Sequence, residues 1–304
     1  MVNKNDLILK HFHRASELTF KNKAYQKIVH DLIVWLLEND QVGKDITSKL
    51  LLGKSKTVSA HIVSKQPLTV AGIEEIKYLL KTFTKISFKV VSKDGEKIEA
   101  KKTIIKLTGD VKEILAFERV MLNLLQTMSG IATETRSVID LIKYDKPYIA
   151  ATRKTPWGLL DKKAVALGGG LTHRLNLSDG ILVKDNHFLL LPTTAILQKL
   201  LDKTENMLIE IEVEDEKSLL ELINSFSRSK TNNTLAVLLD NFSPLEAREI
   251  LSKYNLHKTV IFEASGGITA ENINEWTNSG VDVISLGALT HSSKAADISL
   301  DLVI

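Results

Sequence analysis

The stretch MLIEIEVEDEKSLLELINSFSRSKTNNTLAVLLDN, residues 207–241, decides the fold. It begins and ends with short apolar runs, 207–213 and 235–239, and a helical segment separates them. Strands that alternate with helices in this way indicate a parallel sheet. Four more runs of the same kind occur in the chain, at 148–152, 180–183, 259–262 and 281–286.

The spacing of these runs predicts an incomplete α/β barrel. Their polar or glycine-rich ends recur at intervals of 22 to 31 residues, which suits one strand-plus-helix unit. A complete barrel of eight units takes about 250 residues, and the segment 148–290 is too short for that. We therefore expect six or seven parallel strands. One helix start carries its own signal, because Ser243, Pro244 and Glu246 form a capping box with proline at the first helical position.

The part before about residue 125 has a different pattern. Apolar residues at three- and four-residue spacing predict an amphipathic helix over 25–36, with an apolar face formed by Tyr25, Ile28, Val29, Leu32, Trp35 and Leu36. Alternation over 85–90 predicts a strand, and the Asp94-Gly95 pair predicts a turn toward 97–107. A second helix is expected from Asp110 through Met128, with an interruption at Gly130. We divide the chain into a sheet-and-helix domain, 1–126, and a barrel domain, 127–290, and leave open whether the tail 291–304 packs back on the first.

Composition excludes several classes of protein. The 304 residues contain no cysteine, which removes disulfides, zinc–thiolate sites and cysteine nucleophiles, and fits a reducing, cytoplasmic location. The net charge of +3 arises from 40 basic and 37 acidic residues, so we expect no nucleic-acid partner. The apolar runs are too short to span a membrane, for which about 20 residues are needed. We also expect no secretory signal at the N-terminus.

Basic side chains follow the first two predicted strands of the barrel. In a parallel barrel the C-terminal strand ends build the active site. Arginine and lysine bind carboxylates and phosphates, so five basic groups in some thirty residues suggest a substrate with several negative charges. A structural role, in which they neutralise the acidic groups opposite, remains open. These residues are Arg153, Lys154, His173, Arg174 and Lys184.

Acidic side chains follow the next two strands. Glu210, Glu212 and Glu214 alternate with apolar residues and share one face of their strand. If that face lines the barrel, the carboxylates need partners. Glu214 and Asp240 are predicted either to hold Mg²⁺, which prefers oxygen ligands, or to stabilise a developing cation.

Glycine-rich loops end the last two strands and predict a phosphate site. Ser265-Gly266-Gly267 precedes Thr269, a capping-type residue before an expected helix, and Gly287 begins the segment that ends at His291. Amides exposed at a helix N-terminus bind anions, and barrels often bind phosphate at these late loops. Tight turns alone also require glycine. The triple glycine 168–170 is interpreted as a turn that positions His173 and Arg174, and the chain has neither a Walker nor a dinucleotide-binding motif.

Taken together, these motifs resemble those of the quinolinate phosphoribosyltransferases in order and spacing, over residues 40–304. The matching segments are DITS (45–48), ER (118–119), LN (122–123), TRKT (152–155), GGG (168–170), HRL (173–175), KDNH (184–187), EVE (212–214), LDN (239–241), EASGGI (263–268) and GALTH (287–291).

The resemblance implies an open-faced α/β sandwich packed on the barrel, working as a homodimer or a higher oligomer. By the same resemblance the enzyme makes nicotinate mononucleotide, pyrophosphate and CO₂ from quinolinate and phosphoribosyl pyrophosphate with Mg²⁺, through no covalent intermediate. Residue roles follow by position. Arg119 would enter the neighbouring subunit's site; Arg153, His173, Arg174 and Lys184 would bind the quinolinate carboxylates beside Lys154; Glu214 and Asp240 would face ribose and metal; Ser265, Gly266, Gly287 and His291 would seat the 5′-phosphate.

Two segments depart from the family pattern. The loop Pro156-Trp157-Gly158 reaches His173 about two residues sooner than is usual in the family, and residues 1–24 have no counterpart. His11 and His13, in that extension, are predicted to be surface residues. Three rival functions remain: a relative acting on nicotinate or another small acid, such as the molybdenum-linked members; a phosphosugar isomerase or lyase on a similar barrel; and a nucleic-acid-binding module.

Overall fold

The computed structural model describes residues 3–142, 147–254 and 260–303. The chain divides into two compact units. The first comprises Met1–Arg14, Ser137–Thr155 and Gly170–Ala288, and the second Ala15–Arg136, Pro156–Gly169 and Leu289–Ile304, in each case where described. The predicted domain limits at 126 and 290 remain a prediction.

The regular elements alternate in the order that the apolar runs predicted. The helices are α1 (Lys4–Phe12), α2 (Lys23–Asn39), α3 (Ile46–Leu51), α4 (Ile73–Phe83), α5 (Val111–Leu141), α6 (Leu159–Leu167), α7 (Asp185–Phe188), α8 (Thr193–Lys203), α9 (Glu216–Ser227), α10 (Pro244–Lys253) and α11 (Ala288–His291). The strands are β1 (Thr57–Ser64), β2 (Leu68–Thr69), β3 (Ser87–Val90), β4 (Lys97–Ile98), β5 (Thr103–Asp110), β6 (Tyr148–Ala151), β7 (Ile181–Val183), β8 (Leu208–Val213), β9 (Thr234–Asp240), β10 (Ile261–Ser265), β11 (Val283–Leu286) and β12 (Ile298–Val303).

The first unit is built on one parallel sheet of six strands, in the order β6-β11-β10-β9-β8-β7. All six predicted runs supply a strand, although Thr259, the predicted start of the fifth, lies outside the described residues. Strand β6 pairs with β11, which is the last strand of this sheet along the chain. An isolated parallel bridge joins Ala150 of β6 to Leu171. No ladder joins β6 to β7 among the described residues, so the incomplete barrel that we predicted is confirmed.

The interior of this barrel is layered. Residues near the N-terminal ends of the strands, Leu208, Ile261 and Val283 among them, form an apolar cluster with Ile8 and Phe12 of α1. Charged side chains occupy the next layer, because every residue of β8 is buried and alternate positions of that strand are glutamates. The polar end of the barrel therefore lies at the C-terminal ends of the strands, where active sites of such barrels are found.

The second unit contains an antiparallel sheet in the order β12-β1-β5-β3. Strand β12 pairs along β1 from Ser59↔Val303 to Ser64↔Ile298. The predicted Asp94-Gly95 turn leads into the short strand β4, which pairs with β2 rather than with β3. The Asp94 side chain instead accepts hydrogen bonds from the backbone amides of Gly72, Ile73 and Glu74 and so caps α4 from a distance.

Helices α2 and α5 confirm two predictions and correct their details. The buried face of α2 consists of Tyr25, Val29, Ile33 and Leu36, whereas the predicted face residues Ile28 and Trp35 are 42% and 57% exposed. Helix α5 runs unbroken through Gly130. A Cβ atom at Gly130 would overlap the carbonyl oxygen of Lys294, so this glycine permits a close backbone approach rather than an interruption. The predicted capping box of α10 is present.

No helix in the described part of the chain is both long enough and apolar enough to cross a membrane.

Candidate active site

The polar side chains predicted for the site follow the strand ends as the sequence indicated. Lys184 comes directly after β7, Asp240 is the last residue of β9, Ser265 is the last residue of β10, and Gly287 comes directly after β11. Parallel strands end at the same edge of their sheet. The structure therefore brings residues from four strands to one edge of the barrel in the first unit.

One charged cluster at this edge joins β7, β8 and β9. The Lys184 Nζ lies 2.6 Å from the Glu212 Oε2, and their side chains are 48% and 7% exposed. Burial, followed by the nearby Glu212 carboxylate, raises the pKa of Asp240. The positive charges of Lys184 and Lys154 lower the pKa of Asp240, whereas the Glu214 carboxylate raises it, as Glu212 does. Asp240 is thus surrounded by two lysines and two further carboxylates.

Glu212 is the residue that the sequence interpretation missed. The predicted pair was Glu214 and Asp240, but Glu214 lies beyond the end of β8 and is exposed, whereas Glu212 is buried and paired with Lys184. Alternation placed the three glutamates on one face without saying how deep each one lies. The sequence did not show that Glu212 is the glutamate next to Lys184. The role of Glu214 stays a prediction.

His173 lies deeper in the barrel, in a buried group of four residues. Its Nε2 lies 3.1 Å from a carboxylate oxygen of Glu210 and 3.1 Å from one of Glu263, and the Ser285 hydroxyl donates to Glu263 at 2.5 Å. All four side chains are at most 9% exposed. Predicted as a carboxylate-binding residue, His173 already contacts two carboxylates of the chain itself.

The protonation of His173 responds to opposing influences. Burial lowers its pKa, but the carboxylates of Glu263 and Glu210 outweigh burial and raise the pKa to about 10. The backbone N–H of Arg174 donates to Nδ1 at 2.6 Å, which instead favours a ring protonated on Nε2 alone. The contacts of Nε2 with both carboxylates are compatible with either state. His173 thus links the buried acids to the backbone of Arg174.

Arg153, which follows β6, and Arg174, which precedes β7, are two basic side chains whose charges act on each other. Burial, followed by the positive charge of Arg153, lowers the pKa of Arg174. Arg174 is half-buried and donates from one terminal nitrogen to the Gly180 carbonyl at 3.2 Å, and its buried Nε has no hydrogen-bond partner among the described residues. Arg153 is exposed. Two guanidinium groups that repel each other, one of them with a buried nitrogen that has no partner among the described residues, suit an anionic ligand.

The late glycine loops are held by contacts of their own. Gly266 has a φ of +92°, and a Cβ atom there would overlap the side chain of Asn241. The backbone N–H of Asn241 donates to the Ser265 carbonyl at 3.1 Å. Gly266 is therefore needed for the loop geometry whether or not it binds phosphate. The helix expected at Thr269 is absent. Instead the Thr269 amide donates to the Asn272 side chain, and a 3₁₀ helix begins at Ile273.

Two predicted site residues, Arg119 and His291, belong to the second unit. Arg119 lies in α5 with a 57% exposed side chain, and its NH2 nitrogen is 4.0 Å from Glu118. His291 ends α11 and is exposed, with its Nδ1 2.6 Å from the Ser292 hydroxyl. In the same unit the shortened loop closes onto α6, where the Trp157 amide donates to Asp161 at 2.8 Å.

The two histidines of the N-terminal extension differ. His13 is exposed, as predicted, but the surface prediction for His11 is wrong because His11 is only 7% exposed. The pKa of His11 is lowered to about 4, mainly by burial and secondly by the positive charges of Lys10 and Arg14. The sequence pattern of 1–24 did not reveal that α1 packs against the barrel core.

The carboxylates near Asp240 are ligands of the type that a hard divalent cation such as Mg²⁺ prefers, but in this structure Glu212, Glu214 and Asp240 do not form a group whose oxygens all lie close enough together to share one ion. His173, Glu210 and Glu263 are close enough to share an ion. There, however, the ring nitrogen already contacts both carboxylates, and Nδ1 accepts a backbone hydrogen bond where a metal-bound histidine would normally donate one.

Comparisons with known proteins agree on one family. Family models described as the N-terminal and C-terminal domains of quinolinate phosphoribosyl transferase match residues 45–129 and 131–301. A probable carboxylating nicotinate-nucleotide pyrophosphorylase of Methanothermobacter thermautotrophicus is 37% identical, covering 90% of this chain and 98% of the relative. A decarboxylating quinolinate phosphoribosyltransferase of Nicotiana glauca is 36% identical, covering 85% and 77%. The solved nicotinate-nucleotide pyrophosphorylase of Francisella tularensis superposes with a TM-score of 0.80 at 31% identity, covering 91% and 96%.

Proposed function

This chain belongs to the quinolinate phosphoribosyltransferase family, and from that premise we infer that it converts quinolinate and phosphoribosyl pyrophosphate to nicotinate mononucleotide, pyrophosphate and CO₂. The enzyme is a pentosyltransferase of NAD biosynthesis. The observation that carries the assignment to the site is the Lys184–Glu212 pair beside Asp240, at the barrel edge where Arg153 follows the end of β6.

The basic cluster supports recognition of a dicarboxylate. Quinolinate carries two adjacent carboxylates. Arg153 and Arg174 each offer a planar guanidinium group that can bind a carboxylate through two hydrogen bonds, and Lys184 offers a compact ammonium group. Burial, followed by repulsion from Arg153, lowers the pKa of Arg174, and an anion between the two arginines would relieve that repulsion. His173 is buried and engaged with Glu210 and Glu263, so in this proposal it acts by fixing the Arg174 backbone.

The acidic cluster supports the transfer step. In the proposed reaction the pyridine nitrogen attacks the anomeric carbon of the ribose, and the bond to pyrophosphate breaks through a cationic, oxocarbenium-like state. Asp240 and the neighbouring Glu212 are proposed to stabilise that state with preorganised negative charge. The 2-carboxylate then leaves as CO₂, and its electron pair stays on the ring carbon, where the positive charge of the ring nitrogen stabilises it. That carbon then takes up a proton from solvent, which completes nicotinate mononucleotide. Lys154, close enough to influence Asp240, would attract the pyrophosphate.

Mg²⁺ would be held by Asp240 with Glu212 or Glu214 and would neutralise charge on the leaving pyrophosphate. Ser265, Gly266 and Gly287, at the ends of β10 and β11, are proposed to bind the 5′-phosphate through backbone amides and the hydroxyl. The phosphate-binding role of His291 stays a prediction from the resemblance. We also retain a cytoplasmic location as a proposal, supported by the absence of cysteine.

A homodimer is proposed to complete each site with Arg119 from the partner. The exposed position of Arg119 on α5 is compatible with contact to another subunit. Helix α3 of the same unit presents Ile46, Leu50 and Leu51, which are 70% to 78% exposed, and an apolar group of this kind is typical of an association surface. A higher oligomer built from such dimers stays open.

A substrate comparison tests the proposed function. The purified chain with Mg²⁺, phosphoribosyl pyrophosphate and carboxyl-labelled quinolinate should release one CO₂ for each nicotinate mononucleotide formed. Nicotinate in place of quinolinate should give no comparable turnover, because it offers one carboxylate to a site with several cations. The nicotinate-type alternative predicts the reverse result, and turnover of nicotinate without CO₂ release from quinolinate would replace our assignment.

A further inference from the structure

The N-terminal extension lies outside both matched family ranges, which begin at residue 45. Its helix α1 is nevertheless an integral part of the barrel. Ile8 and Phe12 are fully buried in the cluster at the N-terminal ends of the strands. At the start of the helix the Lys4 Nζ lies 2.6 Å from Asp282, whose side chain is 8% exposed. The extension is thus anchored at its beginning and along its length.

The end of this segment contacts the loop that carries Arg174. The Phe12 carbonyl accepts a hydrogen bond from the His173 amide at 2.8 Å, and the Phe12 ring meets the His173 ring edge-on at 5.0 Å between centroids. The Arg14 amide donates to the Thr172 hydroxyl at 2.7 Å. These contacts hold the chain on the N-terminal side of Arg174.

Arg14 also holds the far side of the same loop. Its Nε donates to the Asp179 Oδ1 at 3.0 Å, with both side chains less than 30% exposed. The other oxygen of Asp179 accepts from the Leu175 amide at 2.9 Å. The backbone on both sides of Arg174 is therefore tied, directly or through Asp179, to residues 12–14.

We propose that residues 4–14 form a positioning element for substrate recognition, in which Phe12 and Arg14 hold the 172–180 loop so that Arg174 faces the quinolinate carboxylates. The inference rests on the proposed function for the identity of the ligand alone. A guanidinium group binds a carboxylate in a directional, two-point geometry, so a loop that fluctuates by about 1 Å loses much of that interaction. Neither residue contacts substrate in this proposal.

The test uses the full-length chain with Arg14→Ala, and Lys10→Ala as the matched control. Lys10 is an exposed cation of the same segment, one helical turn away. Arg14→Ala should raise the KM for quinolinate about tenfold, equivalent to about 1.4 kcal/mol of binding free energy. The KM for phosphoribosyl pyrophosphate and the Tm should stay near the wild-type values. Lys10→Ala should change neither constant.

Hydrogen exchange measures how well the backbone amides of the 172–180 loop are protected, and it needs no substrate. In Arg14→Ala the amides of His173 and Leu175 should exchange faster, while those of β9 keep their protection. If Arg14→Ala fails to fold, Asp179→Asn breaks the same ion pair and should give the same pattern. Unchanged protection at both amides would overturn the inference, and so would an equal rise of both KM values together with a fall in Tm. If the wild type does not turn over quinolinate, the proposed function fails, and the exchange result still decides the positioning role.

Discussion

At the scale of single residues, the site depends on which charges are buried and which remain open. Glu212 is buried against Lys184, and Asp240 lies next to them with a raised pKa. A buried carboxylate that loses its cation is strongly destabilised. The same lysine must therefore balance Glu212 and leave part of its charge available to a ligand, which its 48% exposed side chain permits.

Lys184→Ala and Arg174→Ala should each abolish detectable quinolinate binding; both variants should fold, and Lys184→Ala should have a lower Tm because the buried Glu212 loses its cation. The physical reason is the loss of a cation at a site that holds a dianion. Calorimetry measures quinolinate binding, and the circular dichroism spectrum with its thermal melt measures whether each variant is folded. The controls are Lys199→Ala and Arg228→Ala, which remove exposed cations of the same types. Unchanged affinity in either site variant would remove that residue from the binding site.

His11 should make the chain less stable in acid. The folded state lowers its pKa from 6.5 to about 4, so between these values the unfolded chain binds the proton and the folded chain does not. Stability therefore falls as pH decreases from about 6.5 toward 4. In His11→Leu the difference in Tm between pH 7.5 and pH 5 should shrink.

The neighbouring His13→Leu serves as the control for that measurement. His13 is exposed, so removing it should narrow the difference in Tm less than His11→Leu does. Equal narrowing in both variants would show that burial of His11 is not the cause.

At the scale of elements, the sequence predicted which segments form but not how they face one another. The six apolar runs became β6 to β11 because each is a short apolar segment that ends in polar residues or glycine. The predicted buried face of α2 was wrong at Ile28 and Trp35, because periodicity alone does not decide which of two adjacent rows of residues along a helix is buried. Burial of His11 could not be predicted either, since it depends on where α1 packs.

Gly130→Ala should destabilise the fold although alanine favours helices over glycine by about 1 kcal/mol. The added methyl would overlap the Lys294 carbonyl, and overpacking of this kind costs about 1–3 kcal/mol. Thermal unfolding should therefore show a lower Tm. Gly43→Ala, where a Cβ atom meets nothing within 4 Å, is the control and should leave the Tm nearly unchanged. A raised Tm in Gly130→Ala would contradict the close approach.

At the scale of the whole molecule, the motifs predicted most members of the candidate site, whose roles stay predictions, and the structure added Glu212. Arg153, Lys154, Lys184 and Asp240 could be predicted to lie together because charged residues at consecutive strand ends meet at one edge. Arg174 was predicted from the motif that contains it. Glu212 could not be separated from its neighbours on β8, since depth in the barrel is a tertiary property. The buried contacts of His173 likewise involve Glu210 and Glu263, which belong to strands far apart in sequence.

Mixing two inactive variants should test the proposed dimer. If Arg119 acts in the partner's site, a heterodimer of Arg119→Ala and Lys184→Ala contains one intact site. Random assortment then restores roughly a quarter of the wild-type activity per protomer. The assay is CO₂ release after the two proteins are unfolded and refolded together. Absence of recovery, with heterodimers demonstrated by differential tags, would count against a shared site.

The central claim is that the C-terminal edge of the barrel binds quinolinate, and a crystal structure with quinolinate bound tests it most directly. We predict one ligand at this edge, with its two carboxylates contacting Arg174 and Lys184 and its ring nitrogen facing Asp240. Quinolinate bound elsewhere on the chain, with this edge empty at saturating concentration, would contradict the account.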